Sequence, residues 1–423
     1  MADKTEDLAR VDTLLTDLFP LSRSITGDGT RATLRRIGTE VPLAIVEVPT
    51  GTPVLDWTVP DEWNLHSARL FGPGGEVVVD SAVHNLHVVS YSEPARGTFV
   101  LDDLQERLHS LPDQPDLVPY RTSYYRRTWG FCLADDVRRT LEPGDYAVEI
   151  DASLEPGALS YGECFVPGRQ RDEVLITTHV CHPSMANDNL SGIAAAVALA
   201  RWALSEQREL SYRFLFIPAT IGAITWLAGH RDTVHHIRHG LVLAGLGDAG
   251  PLLYKRSRRG TAVVDRAMEQ LLSGQGAAID WYPYGYDERQ FNSPGFDLPI
   301  GRLSRTMHGT YPEYHTSGDD LTFVDAGRIL EAVTVVTELF DVLEGGLVPR
   351  NLAPFGEPQL GRRDLYRSTG GALDAKSVEM AYLWLLSLAD GDTDVVEIAA
   401  RSGLPLPTVV AAATDLRRAE LLA

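Results

Sequence analysis

The chain has 423 residues, 44% hydrophobic and 23% charged, an ordinary globular composition on a chain too long for one core, so two or three domains are expected. With 38 basic and 58 acidic residues its formal charge is −20, which argues against non-specific nucleic-acid binding because that needs basic surface to displace counterions. No run approaches the roughly 20 apolar residues of a membrane helix, the start Met1-Ala2-Asp3-Lys4 is polar rather than signal-like, and three cysteines fit a reducing, cytoplasmic setting better than a disulfide framework.

In chain order, Leu8 to Phe19 carries apolar residues at helical spacing until Pro20 ends the run, and a helix restarts at Thr30 after the turn-rich Arg23-Ser24-Ile25-Thr26-Gly27-Asp28-Gly29. Over 41–115, short β-prone runs (44–48, 68–71, 76–79, 86–89 and 97–101) alternate with Gly, Pro and Asn turns, predicting a small all-β insert. Around it, 1–40 and 116–346 read as a layered α/β domain. Its strands fall at 146–150, 158–164, 174–178, 212–217 and 240–245, its helices at 192–204, 261–272 and 329–343. The last unit, 347–423, predicts helices at 377–388, 395–402 and 408–418, with Gly403-Leu404-Pro405 setting a helix-turn-helix. The recognition helix of such a motif, Thr408-Val409-Val410-Ala411-Ala412-Ala413, has no Arg or Lys in its first turns, so packing or homo-oligomer contacts are expected of it rather than base reading, and a winged-helix regulator that senses ligand ranks third among the functional readings.

The densest chemistry lies in Thr177-Thr178-His179-Val180-Cys181-His182-Pro183-Ser184-Met185-Ala186-Asn187-Asp188, between an apolar strand and an Ala-rich helix. Open α/β sheets place their sites at such strand ends. His179, His182 and Asp188, with His315 from a later polar loop, are residue types that zinc accepts, and Asp248 is a further carboxylate in a strand-end loop. A hydrolytic zinc also needs a general base beside its water. After the buried strand Phe214-Leu215-Phe216-Ile217 the sequence reads Pro218-Ala219-Thr220-Ile221-Gly222, with no carboxylate.

Longer motifs carry a family resemblance. Arg23-Ser24-Ile25-Thr26-Gly27, Asp56-Trp57-Thr58-Val59-Pro60, Asn85-Leu86-His87, Pro119-Tyr120-Arg121-Thr122-Ser123-Tyr124-Tyr125, Trp129-Gly130-Phe131-Cys132, Cys181-His182-Pro183-Ser184, Asp287-Glu288-Arg289-Gln290, Ser293-Pro294-Gly295-Phe296 and Pro312-Glu313-Tyr314-His315-Thr316 span nearly the whole chain. Together they resemble bacterial aminopeptidase-like proteins with a β-rich insert and a C-terminal winged helix, within the zinc aminopeptidase superfamily. The resemblance implies an α/β fold: a zinc-exopeptidase-like mixed sheet flanked by helices, cleaving a peptide or amide bond of a small substrate. It matches His179 to a first ligand, Asp188 to the Asp that can bridge metals, and His315 to the late His ligand. Cys181 stands where an Asp usually orients the first His, and Thr220 where a Glu ligand usually stands, so one zinc is the expectation, with His182 available as replacement ligand.

The same resemblance expects Glu where Ala219 stands, as the general base. Two explanations compete: a variant inactivated to trap substrate, which the otherwise intact motif favours, or a natural protein that binds without cleaving. On the substrate side, Asp287 and Arg289 offer partners for an amine and a carboxylate, Arg305, His308 and Tyr311 precede His315, and Tyr124 stands out from an aromatic-dense run. Glu288 reads as half of a surface ion pair.

Overall fold

The computed structural model describes residues 4–365 and 373–423. At its centre, eight strands form one mixed sheet: β1 (Ala44–Pro49), β2 (Ala158–Val166), β3 (Glu173–His179), β4 (Ser211–Ile217), β5 (Ile237–Leu243), β6 (Leu252–Lys255), β7 (Gly276–Ile279) and β8 (Ile300–Ser304). Their order across the sheet is β1-β2-β4-β3-β5-β8-β6-β7. The four in the middle, β4-β3-β5-β8, run parallel. Every residue of β3 is buried, as expected of a strand covered on both faces.

The alternation of side chains assigns the two faces. Val174, Ile176, Phe214 and Phe216 join a core with the helices Lys4–Leu18, Gly192–Leu204 and Ala326–Glu344, while Leu175, Leu215 and Ile217 face the helix Ile221–Gly229 and the small sheet. The helix Gly192–Leu204 is built largely of Ala and Gly on its buried surface, which lets it lie close to the sheet. The helix Ile221–Gly229 and the short strands β6, β7 and β8 were not predicted. That helix is apolar almost all round, so it carries no period to read, and runs of four or five residues are too short to show one.

The small sheet orders Val77–Asp80, Glu62–Phe71, Asp145–Glu155 and Ala95–Val100, all antiparallel. Its composition shifts the boundaries predicted for the insert. The first strand of 41–115, β1, pairs with β2 and belongs to the main sheet, whereas Asp145–Glu155, predicted to lie in the α/β domain, is the strand that both Glu62–Phe71 and Ala95–Val100 pair with. The predicted strand at 86–89 is instead a single 3₁₀ turn, Asn85–His87, because the His84 ring accepts from the Leu86 amide and closes it.

In the C-terminal unit, helices Val395–Ser402 and Leu406–Arg418 meet at Gly403, whose φ of 68° is the left-handed conformation that glycine adopts without a steric cost. Leu406, Val409, Ala412, Ala413 and Leu416 are buried in the same apolar core as the helices Val263–Leu271 and Ala326–Glu344. Asp394 caps its own helix and holds Arg266 of Val263–Leu271 through two bonds of 3.1 and 2.5 Å. The helix Leu406–Arg418 buries one face in that packing, while Pro407, Ala411 and Arg418 are exposed. No helix among the described residues is long and apolar enough to cross a membrane.

Candidate active site

The site forms at the C-terminal edge of the parallel strands, where the connection from β3 runs to β4 on one side and the connection from β4 crosses back to β5 on the other side of β3. β3 ends on His179, and the Val180 amide continues its ladder by bonding Ile217 of β4 at 3.0 Å. The following loop is held from behind by Arg23, whose buried guanidinium donates to the His182 carbonyl at 2.8 Å and to that of Leu18. Burial presses this guanidinium down to about 10. The early motif Arg23–Gly27 therefore supports the loop's backbone.

Asp188 is the centre of the cluster. One of its oxygens lies 2.8 Å from His179 Nε2; the other lies 3.0 Å from His315 Nε2 and 4.0 Å from His182 Nε2. Asp319 fixes it in place, accepting the amides of Asn187 at 2.5 Å and Asp188 at 2.9 Å on its two oxygens. Burial raises the Asp319 carboxyl to about 7, against the pull of those amides. Burial also works against the charge on Asp188, but the surrounding imidazoles of His182, His179 and His315 outweigh it and hold this carboxyl well below its usual range. Burial keeps the His182 imidazole neutral, driving it well below its usual range despite Asp188.

This donor set fits zinc. Zinc bonds of about 2.0–2.1 Å in a tetrahedron put neighbouring donor atoms about 3.3 Å apart; from one Asp188 oxygen His315 and His182 stand at 3.0 and 4.0 Å, on either side of that value, and His179 stands 2.8 Å from the other oxygen. His179, His182 and Asp188 each turn one ligand atom to a common centre, and His315 reaches the same carboxylate. Cys181 stays a thiol, pushed up to about 12 by burial, and its sulfur lies 3.4 Å from His182 Nδ1. It faces His182, not His179; the residue beside His179 Nδ1 is Asn189, at 3.1 Å. Asp248 stands off, because its oxygens are taken by the Asn187 amide, the Gly250 amide and Thr306.

Aromatic rings wall the cluster. Tyr286 stacks on His179 at 5.1 Å, Tyr314 on His315 at 4.0 Å, and Tyr120 packs against both His182 and His315. A cleft of about 400 Å3 lined by Tyr120, Tyr311, Tyr314 and His315 opens beside them. Of the predicted substrate residues, Tyr311 lines this cleft, and Tyr124 bonds the Tyr120 hydroxyl at 3.0 Å. His308 packs on Tyr286 and Tyr314. Asp287 is buried behind the wall with one carboxylate oxygen lacking any partner, and burial lifts it to about 8. Arg289 is exposed. Arg305 lies apart: its guanidinium is spent on the carbonyls of Leu246, Gly250 and Arg328 and on Glu331, which leaves no donor turned to a substrate. Glu288 is no surface residue. It is fully buried and paired with the equally buried Lys255 at 2.9 Å.

Ala219 follows β4 and is partly exposed, and its carbonyl lies 3.8 Å from the Cys181 sulfur. The peptide bonds Asp188–Asn189 and Ala219–Thr220 are both cis. Asn189, Asp319 and Tyr286, and Arg302 whose guanidinium lies 5.5 Å from the Tyr286 ring centre, were not among the residues predicted for the site. Asn189 and Asp319 gave one available signal, as polar residues flanking the ligand motifs; Tyr286 and Arg302 gave none outside their fold.

A family model described as a domain of unknown function, DUF4910, matches residues 12–346, and a winged helix-turn-helix model matches 347–423. A Clostridium acetobutylicum protein, provisionally named as a polysaccharide biosynthesis protein with an aminopeptidase-like domain, is 43% identical over 99% of this chain and 97% of its own. A crystal structure of a provisionally assigned peptidase from Clostridium acetobutylicum superposes with a TM-score of 0.93 at 41% identity, covering 99% of this chain and 97% of that one. The fold extends to a zinc aminopeptidase of Bacillus subtilis, with a TM-score of 0.58 at 13% identity, over 79% of this chain and 93% of that one. It extends also to a peptidase M28 precursor of Shewanella amazonensis, with a TM-score of 0.55 at 14% identity, over 78% and 91%. The chain belongs to the DUF4910 family, with an aminopeptidase-like fold and a winged helix at its C-terminal end.

Proposed function

We propose that this chain is a zinc-dependent aminopeptidase-like hydrolase for a peptide or amide bond, held inactive by the missing carboxylate at position 219. The observation that carries the reading is the convergence of three imidazoles on the buried carboxylate of Asp188 at the strand ends. His179, Asp188 and His315, with His182 beside them, would hold the metal, which when bound polarises a carbonyl and activates water. The name of the Clostridium relative favours an amide carried on a biosynthetic intermediate over a general peptide. Three buried, unpaired cysteines fit a reducing, cytoplasmic compartment.

The chain's own residues do the rest. Asp319 holds the backbone at Asn187 and Asp188, and the Tyr286, Tyr314 and Tyr120 rings pack against the imidazoles and fix their orientation. Ala219 gives no acceptor for a proton. That same vacancy supports a second reading, a scaffold that binds a peptide or amide without cleaving it.

The test is zinc content and activity together. The purified chain should hold about one zinc, lost in Asp188→Ala, and Ala219→Glu should raise hydrolysis by ~10²–10⁴-fold, the usual worth of a proton-transfer group. A fully metallated Ala219→Glu protein that is inactive on a broad panel of peptides and amides sinks the hydrolase reading and leaves the binding scaffold. Absence of zinc from the wild-type chain likewise sinks the hydrolase reading.

A further inference from the structure

Behind the aromatic wall lies a charge cluster that the proposed reaction does not use. Lys255, Glu288 and Arg302 all have fully buried side chains. Lys255 Nζ donates to Glu288 at 2.9 Å and to the Tyr284 carbonyl at 2.9 Å, and it lies over the Tyr282 and Trp281 rings. Those are a cation's surroundings. Arg302 is left with a poorer share of the same carboxylate oxygen, at 3.8 Å. One carboxylate thus serves two cations through a single oxygen, and its other oxygen, also buried, meets neither of them. The remaining donors of Arg302 confirm the shortfall: its Nε has no partner, and Nη2 meets only the Met307 sulfur at 3.8 Å.

The good hydrogen bond that Arg302 makes is to His308 Nδ1, at 3.0 Å. A guanidinium only donates, so Nδ1 must accept, and the ring proton must sit on Nε2. A proton added at Nδ1 would face Arg302 directly. Burial and then this cation bring His308 down to about 4, so the ring is neutral at physiological pH. Its Nε2–H has no protein partner among the described residues, and the half-buried ring packs on Tyr284, Tyr286 and Tyr314. Tyr286 and Tyr314 are the rings stacked on the candidate ligands His179 and His315. A donor of fixed direction therefore stands one ring away from the metal cluster, backed by excess buried positive charge.

We propose that Arg302 and His308 form an anion subsite, in which His308 Nε2–H donates to an anionic oxygen of the substrate and Arg302 is the positioning residue that fixes its tautomer. The oxygen belongs to a carboxylate or a phosphate set apart from the bond being cleaved, so the substrate is an acidic amide. This rests on the proposed function only for the word substrate; the anion site itself needs no metal.

The test uses the full-length chain with ¹⁵N-labelled histidine, first without metal and then with zinc. In the free protein one ring should show an unprotonated Nδ1 and a protonated Nε2, and its signal should vanish in His308→Phe. The probes are N-acetylglycine, its neutral counterpart N-acetylglycinamide, and inorganic phosphate. An anion should shift the His308 Nε2 signal and bind about 10–100-fold more tightly than the neutral amide, the range expected of a hydrogen bond to a charged group. That preference should be lost in His308→Phe, partly kept in His308→Gln, which retains a donor, and weakened in Arg302→Met with Glu288 still paired to Lys255. Preference for N-acetylglycine identifies a carboxylate as the natural group, preference for phosphate a phosphate. His308 protonated on Nδ1, or equal binding of anion and amide by the wild-type chain, overturns the assignment. Zinc that fails to bind while the anion preference persists overturns the hydrolase reading and leaves the subsite standing.

Discussion

Replacing Asp287 by Asn should stabilise the protein, and increasingly so as pH rises. Asp287 is 2% exposed, and one of its carboxylate oxygens has no hydrogen-bond partner. Burial first, and the neighbouring Glu288 second, raise this carboxyl from 3.8 to about 8, with Arg289 offsetting only part of the rise. In the unfolded chain the group releases its proton near pH 3.8. Between those two values the folded state binds more protons than the unfolded one, so stability must fall as pH rises through the window. The slope is about 1.4 kcal/mol per pH unit, and the accumulated cost at pH 7 is about 4 kcal/mol as a ceiling. Asn has the same shape, stays neutral and carries no such cost. Urea unfolding of both proteins from pH 5 to pH 8, with equal m values, should give a stability difference that is smallest at pH 5, about 1.6 kcal/mol, and widens steadily above it. Parallel profiles, or a variant less stable at pH 8, would show that the carboxyl is ionised and solvated in the folded protein. Stability given up at one buried carboxyl next to Tyr286, the ring stacked on His179, is the pattern expected of a group retained for function.

Two further substitutions probe how the site and the last domain are held. Asp319→Asn leaves one of the two amides at Asn187 and Asp188 facing an NH2 group instead of an oxygen, so Asp188 should lose its setting and zinc affinity should fall about 10–100-fold in a chelator competition. Unchanged affinity would mean that Asp188 is positioned by its histidines alone. Val409→Asp places a charge at a fully buried position of the helix Leu406–Arg418; it should cost more than about 4 kcal/mol and make the chain cleavable around residue 347 in limited proteolysis. Full protease resistance would show that this helix contributes little to the attachment of the C-terminal unit.

Much of the site was legible before any coordinates. His179, His182 and Asp188 lie within ten residues, between a run apolar enough to be a buried strand and a run of alanines, and that local pattern alone suggested a strand-end metal site. The absence of a carboxylate at Ala219 was equally plain. What remained hidden depended on burial. Glu288 reads as a surface charge because nothing in its neighbourhood shows that Lys255, 33 residues earlier, will be buried against it. Arg305 precedes His315 by ten residues and looked available to substrate, yet it turns to the carbonyls of Leu246, Gly250 and Arg328. Asp145–Glu155 alternates like any half-buried strand, and no local feature says which of two sheets it will join.

By itself the sequence determined the types and spacing of the chemical groups and the periods that make strands and helices, because these are properties of neighbouring residues. Tertiary structure decided which groups meet. His315 reaches Asp188 across 127 residues because the register of the central parallel strands and the pairing of Pro119 with Thr316 bring two loops over one edge. The tautomer of His308 depends on Arg302 being kept from water and short of carboxylate, and a charge is left in that state only by what the fold packs around it.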